Sequence, residues 1–265
     1  MQARGEGGRH ASIIEGLGVK LSKGNPFESI FHEFVTDFGG RVLPEAPDGH
    51  TADYFFPEQN IIAELKSLSV DQTFTIEKKL IPEVERWERE HGQRLPGVVE
   101  GDKYFVAFVD MPRGIQDFWL KLLKASVENL IRDANKQIRD TKRRMKVPCA
   151  KGLLIIANEQ NVYHNDPRSY SLLIGEILRK RISDGSLRYS QINAAVYFSV
   201  NKVRSRNEGM YFWAPLQMKQ TPNEDVTPMA EFQRELQQGW YRYIERKWQV
   251  IVRQHPEPVT TGGKD

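Results

Sequence analysis

Two short apolar segments joined by a turn constrain most strongly what this chain can fold into. Residues 52–56 and 61–68 are rich in aromatic and aliphatic side chains, and Pro57-Glu58-Gln59-Asn60 between them has the composition of a tight turn. This pattern predicts a hairpin with a four-residue loop. The implied pairs are Phe56 with Ile61, Phe55 with Ile62, Tyr54 with Ala63 and Asp53 with Glu64. We therefore predict two carboxylates directly opposite each other beside the hairpin.

The opposed acids are the centre of a charged cluster. Opposed residues of an antiparallel pair have Cβ atoms roughly 4.5 to 5.5 Å apart, and two like charges there are destabilising unless a cation compensates them. Side chains alternate along a strand, so Lys66 projects from the same face as Glu64. Two acids and an ammonium group suit the hydrolysis of a phosphodiester with the help of Mg²⁺. The alternative is an edge hairpin with solvated charges, in which Lys66 pairs with one acid.

The remaining sequence predicts alternating helices and strands. Apolar residues recur at helical spacing from Phe27 to Phe38, which predicts a helix over 25–38 with Asn25 as its cap. Further helices are predicted at about 75–90, 116–145, 169–182 and 227–252, and further strands at 41–45, 103–110, 152–157, 192–200 and 210–214. The order predicts an α/β fold in which a mixed β-sheet is flanked by helices on both faces.

The domain organisation follows from the same pattern. One domain is predicted over 25–255, with an insertion at about 70–115 and a helix near the C-terminal end. Residues 1–24 contain many glycines and are expected to form a flexible arm. Residues 256–265 are rich in Pro, Thr and Gly and are expected to form a disordered tail.

The hairpin and its charges resemble a known family. An Asp at the end of one strand, a hairpin, and Glu-Leu-Lys in the next strand, after an amphipathic helix, resemble the PD-(D/E)xK nuclease superfamily. The resemblance implies a restriction-endonuclease-like fold. It also implies that Asp53, Glu64 and the Leu65 carbonyl bind Mg²⁺ or Mn²⁺. Lys66 would be the catalytic lysine.

A further ligand is suggested by the first helix. The resemblance covers residues 25–68, with Ala52 where the family has Pro, and extends to about 200 only through the order of strands and helices. Some members use an acid from the first helix as a metal ligand, and Glu28 is the candidate here because Glu33 points away from the apolar stripe. Glu28 is also the third helical residue after Asn25, where a Glu commonly completes a capping box. Both interpretations stay open.

A basic segment offers a phosphate-binding surface. The segment 136–146 holds six basic residues and one acid, although the whole chain carries a formal net charge of only +3. Such a cluster gains affinity for nucleic acid by displacing counterions. The alternative is that it complements the dipole at a helix end. Together with two residues of a predicted hairpin tip, the candidate nucleic-acid-binding residues are Lys136, Arg139, Lys142, Arg143, Arg144, Lys146, Arg204 and Arg206.

The composition excludes several other classes of protein. The single cysteine, Cys149, excludes an intrachain disulfide and a cysteine-rich zinc site. The histidines show no HxxxH or HExxH spacing, which argues against a zinc hydrolase. The longest apolar stretches are far shorter than the ~20 residues of a membrane span. We expect a cytoplasmic protein without a membrane partner.

The expected function is that of a Mg²⁺- or Mn²⁺-dependent endonuclease, a hydrolase of phosphodiester bonds, and the substrate is expected to be DNA rather than RNA. By family analogy, a role in restriction, phage defence or mobile-element processing fits, as does a homodimer or a larger assembly. One alternative is a non-catalytic, nuclease-like module that binds nucleic acid or a partner protein. A further alternative is an RNA-directed toxin or effector on the same fold.

Overall fold

The computed structural model describes residues 26–47, 51–68, 73–95, 98–100, 103–105, 110–159, 167–199, 203–205, 208–249 and 251–254. The predicted arm at 1–24, the predicted cap at Asn25 and the predicted tail at 256–265 lie outside the described residues.

Five helices lie in the described part of the chain, and each of them matches a predicted helix. They are α1 Pro26–Asp37, α2 Thr73–His91, α3 Arg113–Arg144, α4 Pro167–Leu178 and α5 Thr227–Trp248. α3 is the longest, and its buried residues recur at helical spacing along one side. Hydrophobic periodicity therefore located these helices correctly to within a few residues at their ends.

The strands form one large mixed sheet and one small hairpin. Their bounds are β1 Arg41–Val42, β2 Tyr54–Phe56, β3 Ile61–Leu68, β4 Val98–Glu100, β5 Lys103–Phe105, β6 Lys151–Asn158, β7 Ala194–Ser199, β8 Val203–Ser205, β9 Glu208–Gln217 and β10 Ile251–Gln254. The central part of the sheet has the order β1-β2-β3-β6-β7-β9. The first residues of β9 also pair with β8 and β10, while β4 and β5 pair separately.

Strand directions follow from the connections. β2 is antiparallel to both β1 and β3, and a four-residue turn joins it to β3. β3, β6 and β7 are parallel, which requires crossovers, and α3 and α4 lie within those crossovers. β9 returns antiparallel to β7. The fold is therefore α/β with a mixed sheet, as the alternation of predicted elements indicated.

The hairpin that joins β2 and β3 has the predicted register. Tyr54 pairs with Ala63, Phe55 with Ile62 and Phe56 with Ile61. Asn60 has a left-handed φ of 54°, which Asn tolerates better than most residues, at the end of the turn. No described residue of β2 pairs beyond Ala63, so the second half of β3 has an open edge on the β2 side. That open edge is where the predicted acids lie.

Two apolar layers cover the sheet, one on each face. α1 and α5 pack on one face through an aromatic cluster that includes Phe31, Phe34 and Trp240. α3 and α4 pack on the other face against residues such as Ile62 and Leu154. Because side chains alternate along β3, Ala63 and Leu65 face the first layer, whereas Glu64 and Lys66 face the α3 side. The predicted site thus lies between the sheet and α3.

The chain departs from the prediction mainly near its C-terminal end. The last helix was predicted to continue to about 252, but it ends at Trp248 because Gln249 adopts a left-handed backbone with φ 52°. Residues 251–254 instead form β10, parallel to β9. β4 and β8 were not predicted. The predicted strand at 103–110 is shown only at 103–105, and Asp110 lies outside it.

Among the helices of the described residues, none combines the length and the apolar character needed to span a bilayer.

We predict that Gly152 in β6 does not tolerate a methyl group. A Cβ at this position would lie 1.9 Å from the Gln191 carbonyl oxygen, and backbone must move to relieve that clash. Gly152→Ala is expected to lower the free energy of unfolding by about 2 to 3 kcal/mol, as in other overpacked interiors, measured by urea denaturation. The matched control is Gly114→Ala in α3, where nothing lies within 4 Å of the new methyl. Equal stability of the two variants would contradict this prediction.

Candidate active site

Asp53 lies immediately before β2 in the chain, and this determines where its side chain is found. It lies outside the strand ladder, and its Oδ2 accepts a hydrogen bond of 2.7 Å from the Leu65 N–H. The carboxylate therefore takes the place of a strand partner at the open edge of β3. In an extended strand the N–H and C=O of one residue point to the same edge, so the Leu65 carbonyl also faces the Asp53 side.

Glu64 is the most buried acid of the site. Its side chain is 1% exposed, and its Oε1 lies 2.6 Å from Lys66 Nζ. Its Oε2 accepts no hydrogen bond from any described residue. Burial, followed by the negative charge of Asp53, raises the pKa of Glu64 to about 8. A buried carboxylate oxygen with no donor is costly, and a cation would relieve that cost.

The environment of Asp53 also disfavours the charged form of its carboxyl group. Burial raises the pKa of Asp53, and the hydrogen bond from Leu65 and the charge of Lys66 oppose that rise. The charge of Glu28, on α1, raises the Asp53 pKa further. Glu28 itself is exposed, and its Oε1 lies 3.8 Å from His32 Nε2. Its proposed capping partner, Asn25, lies outside the described residues.

Lys66 lies between the two acids and α3. Besides its contact with Glu64, its Nζ donates a hydrogen bond of 2.7 Å to Gln137 Oε1. The Lys66 side chain is 23% exposed. Asp53, Glu64 and Lys66 therefore lie close together at the open edge of β3.

α3 also holds the segment that carries Asp53. Thr141 Oγ1 accepts a hydrogen bond of 2.7 Å from the Ala52 N–H, and Gln137 Nε2 donates to the Thr51 carbonyl at 3.3 Å. The Arg144 guanidinium donates to Thr51 Oγ1. The sequence prediction missed Gln137 and Thr141. Their signal was their i, i+4 spacing beside the buried stripe of the helix, where two polar residues indicate a polar partner.

The oxygen atoms present are of the kind that binds Mg²⁺. Two carboxylates and a main-chain carbonyl form an oxygen-only donor set, which hard divalent cations prefer. No group of three or more His, Cys, Asp or Glu side chains in the described part of the chain is arranged to hold a metal ion. The candidate set is smaller than that, with Asp53 and Glu64 as side-chain donors and Leu65 as a main-chain donor. Glu28 does not join them in a three-carboxylate cluster.

The basic residues of α3 do not all lie on one surface. Lys136, Arg139, Arg143, Arg144 and Lys146 are exposed. Arg139 and Arg143 both approach the carboxylate of Asp140. Lys142 is 7% exposed, and its Nζ donates to the Gln191 carbonyl and Oε1, each at 3.3 Å. Lys142 thus belongs to the interior, where it cannot contact a nucleic acid.

The two hairpin-tip arginines are less fully described. Arg204 lies in β8, whose backbone alone is described, and Arg206 lies outside the described residues. Their predicted role in nucleic-acid binding stays a prediction.

Comparison of the chain with protein-family models, with curated proteins and with solved structures finds no match in any of the three. The geometry of the site is therefore the basis for the proposal that follows.

We predict that the burial of Lys142 makes stability depend on alkaline pH. Burial, followed by the charge of Lys151, lowers the pKa of Lys142 from 10.5 to about 8. Between these two pH values the unfolded chain binds more protons than the folded chain, so the free energy of unfolding rises with pH. The free energy of unfolding is expected to rise by about 2 kcal/mol between pH 7.5 and 9.5. Urea denaturation at a series of pH values measures this rise.

The control for this prediction uses two lysines of the same helix. Lys142→Met is expected to lose the rise, because the titrating group is gone. Lys121→Met removes an exposed lysine and is expected to keep it. A rise of the same size in Lys142→Met would assign the effect to other groups.

Proposed function

We propose that the protein is a metal-dependent nuclease of the PD-(D/E)xK type, with Mg²⁺ or Mn²⁺ as its cofactor. The observation that carries the proposal is the proximity of Asp53, Glu64 and Lys66 at the open edge of β3. These are the three residues that the sequence pattern led us to expect in a phosphodiesterase site. Both acids are buried, and Glu64 Oε2 has no hydrogen-bond partner among the described residues, which supports a cation as the missing neighbour.

The proposed ligands are Asp53, Glu64 and the Leu65 carbonyl, with Glu28 as an additional candidate. A bound Mg²⁺ supplies Lewis-acid polarisation of the scissile phosphate and a lower pKa for the attacking water. The chain itself orients these ligands: the Leu65 N–H fixes Asp53, and Lys66 fixes one oxygen of Glu64. The second oxygen of Glu64 is thereby left for the metal.

Lys66 has the role of a positioned cation in this proposal. Its ammonium group is anchored by Glu64 and stays partly open to solvent, where a water or a phosphate oxygen would lie. A positive charge held there stabilises negative charge that develops during attack on phosphorus. Because Lys66 is held by the fold before substrate arrives, little reorganisation is needed during the reaction.

DNA is the proposed substrate, and the exposed basic residues of α3 are the proposed backbone-binding surface. Arg139 and Arg143 lie on the last turns of the helix, and Arg144 reaches Thr51, two residues before Asp53. The basic surface therefore continues into the segment that carries the acid. Phosphate contacts at that point would fix the register of the strand relative to the proposed metal site.

The second candidate is a non-catalytic module that binds nucleic acid. One observation favours it: Lys66 already pairs with Glu64 at 2.6 Å, which offsets part of the buried negative charge without a metal. In that case the same basic surface would bind nucleic acid, and the three charged residues would act only in stability. The two candidates differ in whether a divalent cation binds and whether phosphodiester bonds are cut.

We predict that Asp53→Asn and Lys66→Met each lower metal-dependent cleavage about 100-fold or more, since the first removes the charge of a proposed metal ligand and the second removes the cation proposed to act at the reacting phosphate. The amide introduced by Asp53→Asn would retain an oxygen that accepts the Leu65 N–H, so the fold is kept. Cleavage is measured on plasmid DNA, single-stranded DNA and RNA with Mg²⁺, Mn²⁺ or EDTA. Glu58→Gln, in the exposed turn of the same hairpin, is the matched control and is expected to cut like wild type.

The outcomes separate the two candidates. Wild type that cuts none of the substrates with any of the metals, or variants that cut as well as wild type, would refute the nuclease proposal. Nucleic-acid binding that persists in wild type and in both variants, without cleavage, would favour the non-catalytic module.

We predict that Arg139→Gln combined with Arg143→Gln weakens DNA binding and reduces its salt dependence. Each lost phosphate contact lowers the slope of log K against log salt by about 1, so the double variant loses about 1 to 2 units. Fluorescence anisotropy with a catalytically impaired background measures this slope. The matched control is Arg234→Gln combined with Arg242→Gln, two exposed arginines of α5 on the other side of the sheet. Equal slopes in both double variants would show that α3 is not the binding surface.

A further inference from the structure

We propose that Gln137 is the positioning residue of Lys66, and that it ties the lysine to the segment that carries Asp53. This inference rests on the nuclease function proposed above. Gln137 Oε1 accepts from Lys66 Nζ at 2.7 Å, while its Nε2 donates to the Thr51 carbonyl at 3.3 Å. One amide on α3 therefore contacts both β3 and the segment that precedes β2.

The number of N–H donors on the Lys66 ammonium group explains why its hydrogen bond to Gln137 would fix its orientation. An ammonium group has three N–H donors. One is directed to Glu64 Oε1 and one to Gln137 Oε1. No third acceptor for Lys66 is present among the described residues, and its side chain is 23% exposed. With two donors fixed, the tetrahedral geometry of the nitrogen leaves the third N–H in a set direction.

The chemistry of an amide suits this position. Gln137 supplies a neutral acceptor, so it orients Lys66 without adding a third negative charge beside Asp53 and Glu64. It also supplies a donor to main chain, which a carboxylate cannot do. Lys66 and the Asp53 segment are thereby held by the same side chain.

The neighbouring turn of α3 supports the same arrangement. Thr141 lies four residues after Gln137, on the same side of the helix, and accepts from the Ala52 N–H at 2.7 Å. Gln137 and Thr141 together attach residues 51 and 52 to α3. Of the two, only Gln137 reaches Lys66, so loss of Gln137 releases the lysine while Thr141 keeps the segment in place.

The activity test compares three variants at saturating metal. Gln137→Met removes the acceptor and is expected to lower kcat about 10- to 100-fold, the cost of a hydrogen bond to a charged group, with KM within about twofold of wild type. Gln137→Glu keeps an acceptor of the same length for Lys66 and is expected to recover kcat to within about tenfold of wild type. Gln116→Met, the same change about 30 Å along α3, is expected to match wild type.

Two further measurements do not depend on cleavage. Mn²⁺ affinity by calorimetry is expected to be within about twofold in wild type and Gln137→Met, because Gln137 is not a proposed ligand. Nitrogen-detected NMR of lysine ammonium groups measures how fast the Lys66 N–H protons exchange with water, with Lys66→Arg for assignment. The exchange is expected to be at least about threefold faster in Gln137→Met than in wild type, and close to wild type in Gln137→Glu.

The results decide the inference separately from the nuclease proposal. Unchanged exchange in Gln137→Met would overturn it, as would a kcat of Gln137→Met equal to that of wild type. Loss of Mn²⁺ binding in Gln137→Met would overturn it as well, since the residue would then act through the ligands. Wild type without cleavage would refute the nuclease function, while the exchange rates would still show whether Gln137 holds Lys66.

Discussion

The burial of two carboxylates beside one lysine is the constraint on which the rest of this structure depends. Removing a charge from water costs several kcal/mol even after relaxation, and the charge of Asp53 further disfavours the charged form of Glu64. A chain that only needed stability would do better with apolar side chains at these positions. The surrounding fold therefore has to supply enough apolar burial to tolerate the site. The two packed faces of the sheet, with aromatic residues on the α1 and α5 side, provide it.

α3 is long enough to pack against the sheet and also to carry polar residues that contact the site. Its apolar residues, such as Ile131 and Ile138, pack into the sheet and fix the position and rotation of the helix. Polar residues next to that stripe then reach the hairpin at set points, since side chains on a packed helix have little freedom to shift. The same helix ends in an exposed basic surface. Packing, hydrogen bonding to the site and the proposed phosphate contacts are thus related by one rigid element.

The parts of the site that depend on local structure were predictable, and those that depend on tertiary contacts were not. The turn at 57–60 determines the register of the hairpin, so the three pairs from Tyr54–Ala63 to Phe56–Ile61 followed from sequence alone. Gln137 is separated from Lys66 by 71 residues, and nothing local indicates that contact. Lys142 was assigned to a surface because its neighbours are basic, whereas helix rotation places it inside. The strand at 251–254 was missed because the predicted helix continued past Gln249. In the structure, the left-handed backbone of Gln249 ends that helix.

The unequal lengths of β2 and β3 leave part of β3 without a pairing partner in β2. β3 continues for five residues beyond its last pair with β2, and an unpaired strand edge is a template for another chain. The Asp53 carboxylate occupies the Leu65 N–H on that edge and places a negative charge there. Charged side chains on edge strands are a common protection against aggregation. The acid proposed for catalysis would thus also protect the edge of β3 from pairing with another chain. Selection against aggregation would then retain Asp53 even in a chain that no longer binds a metal.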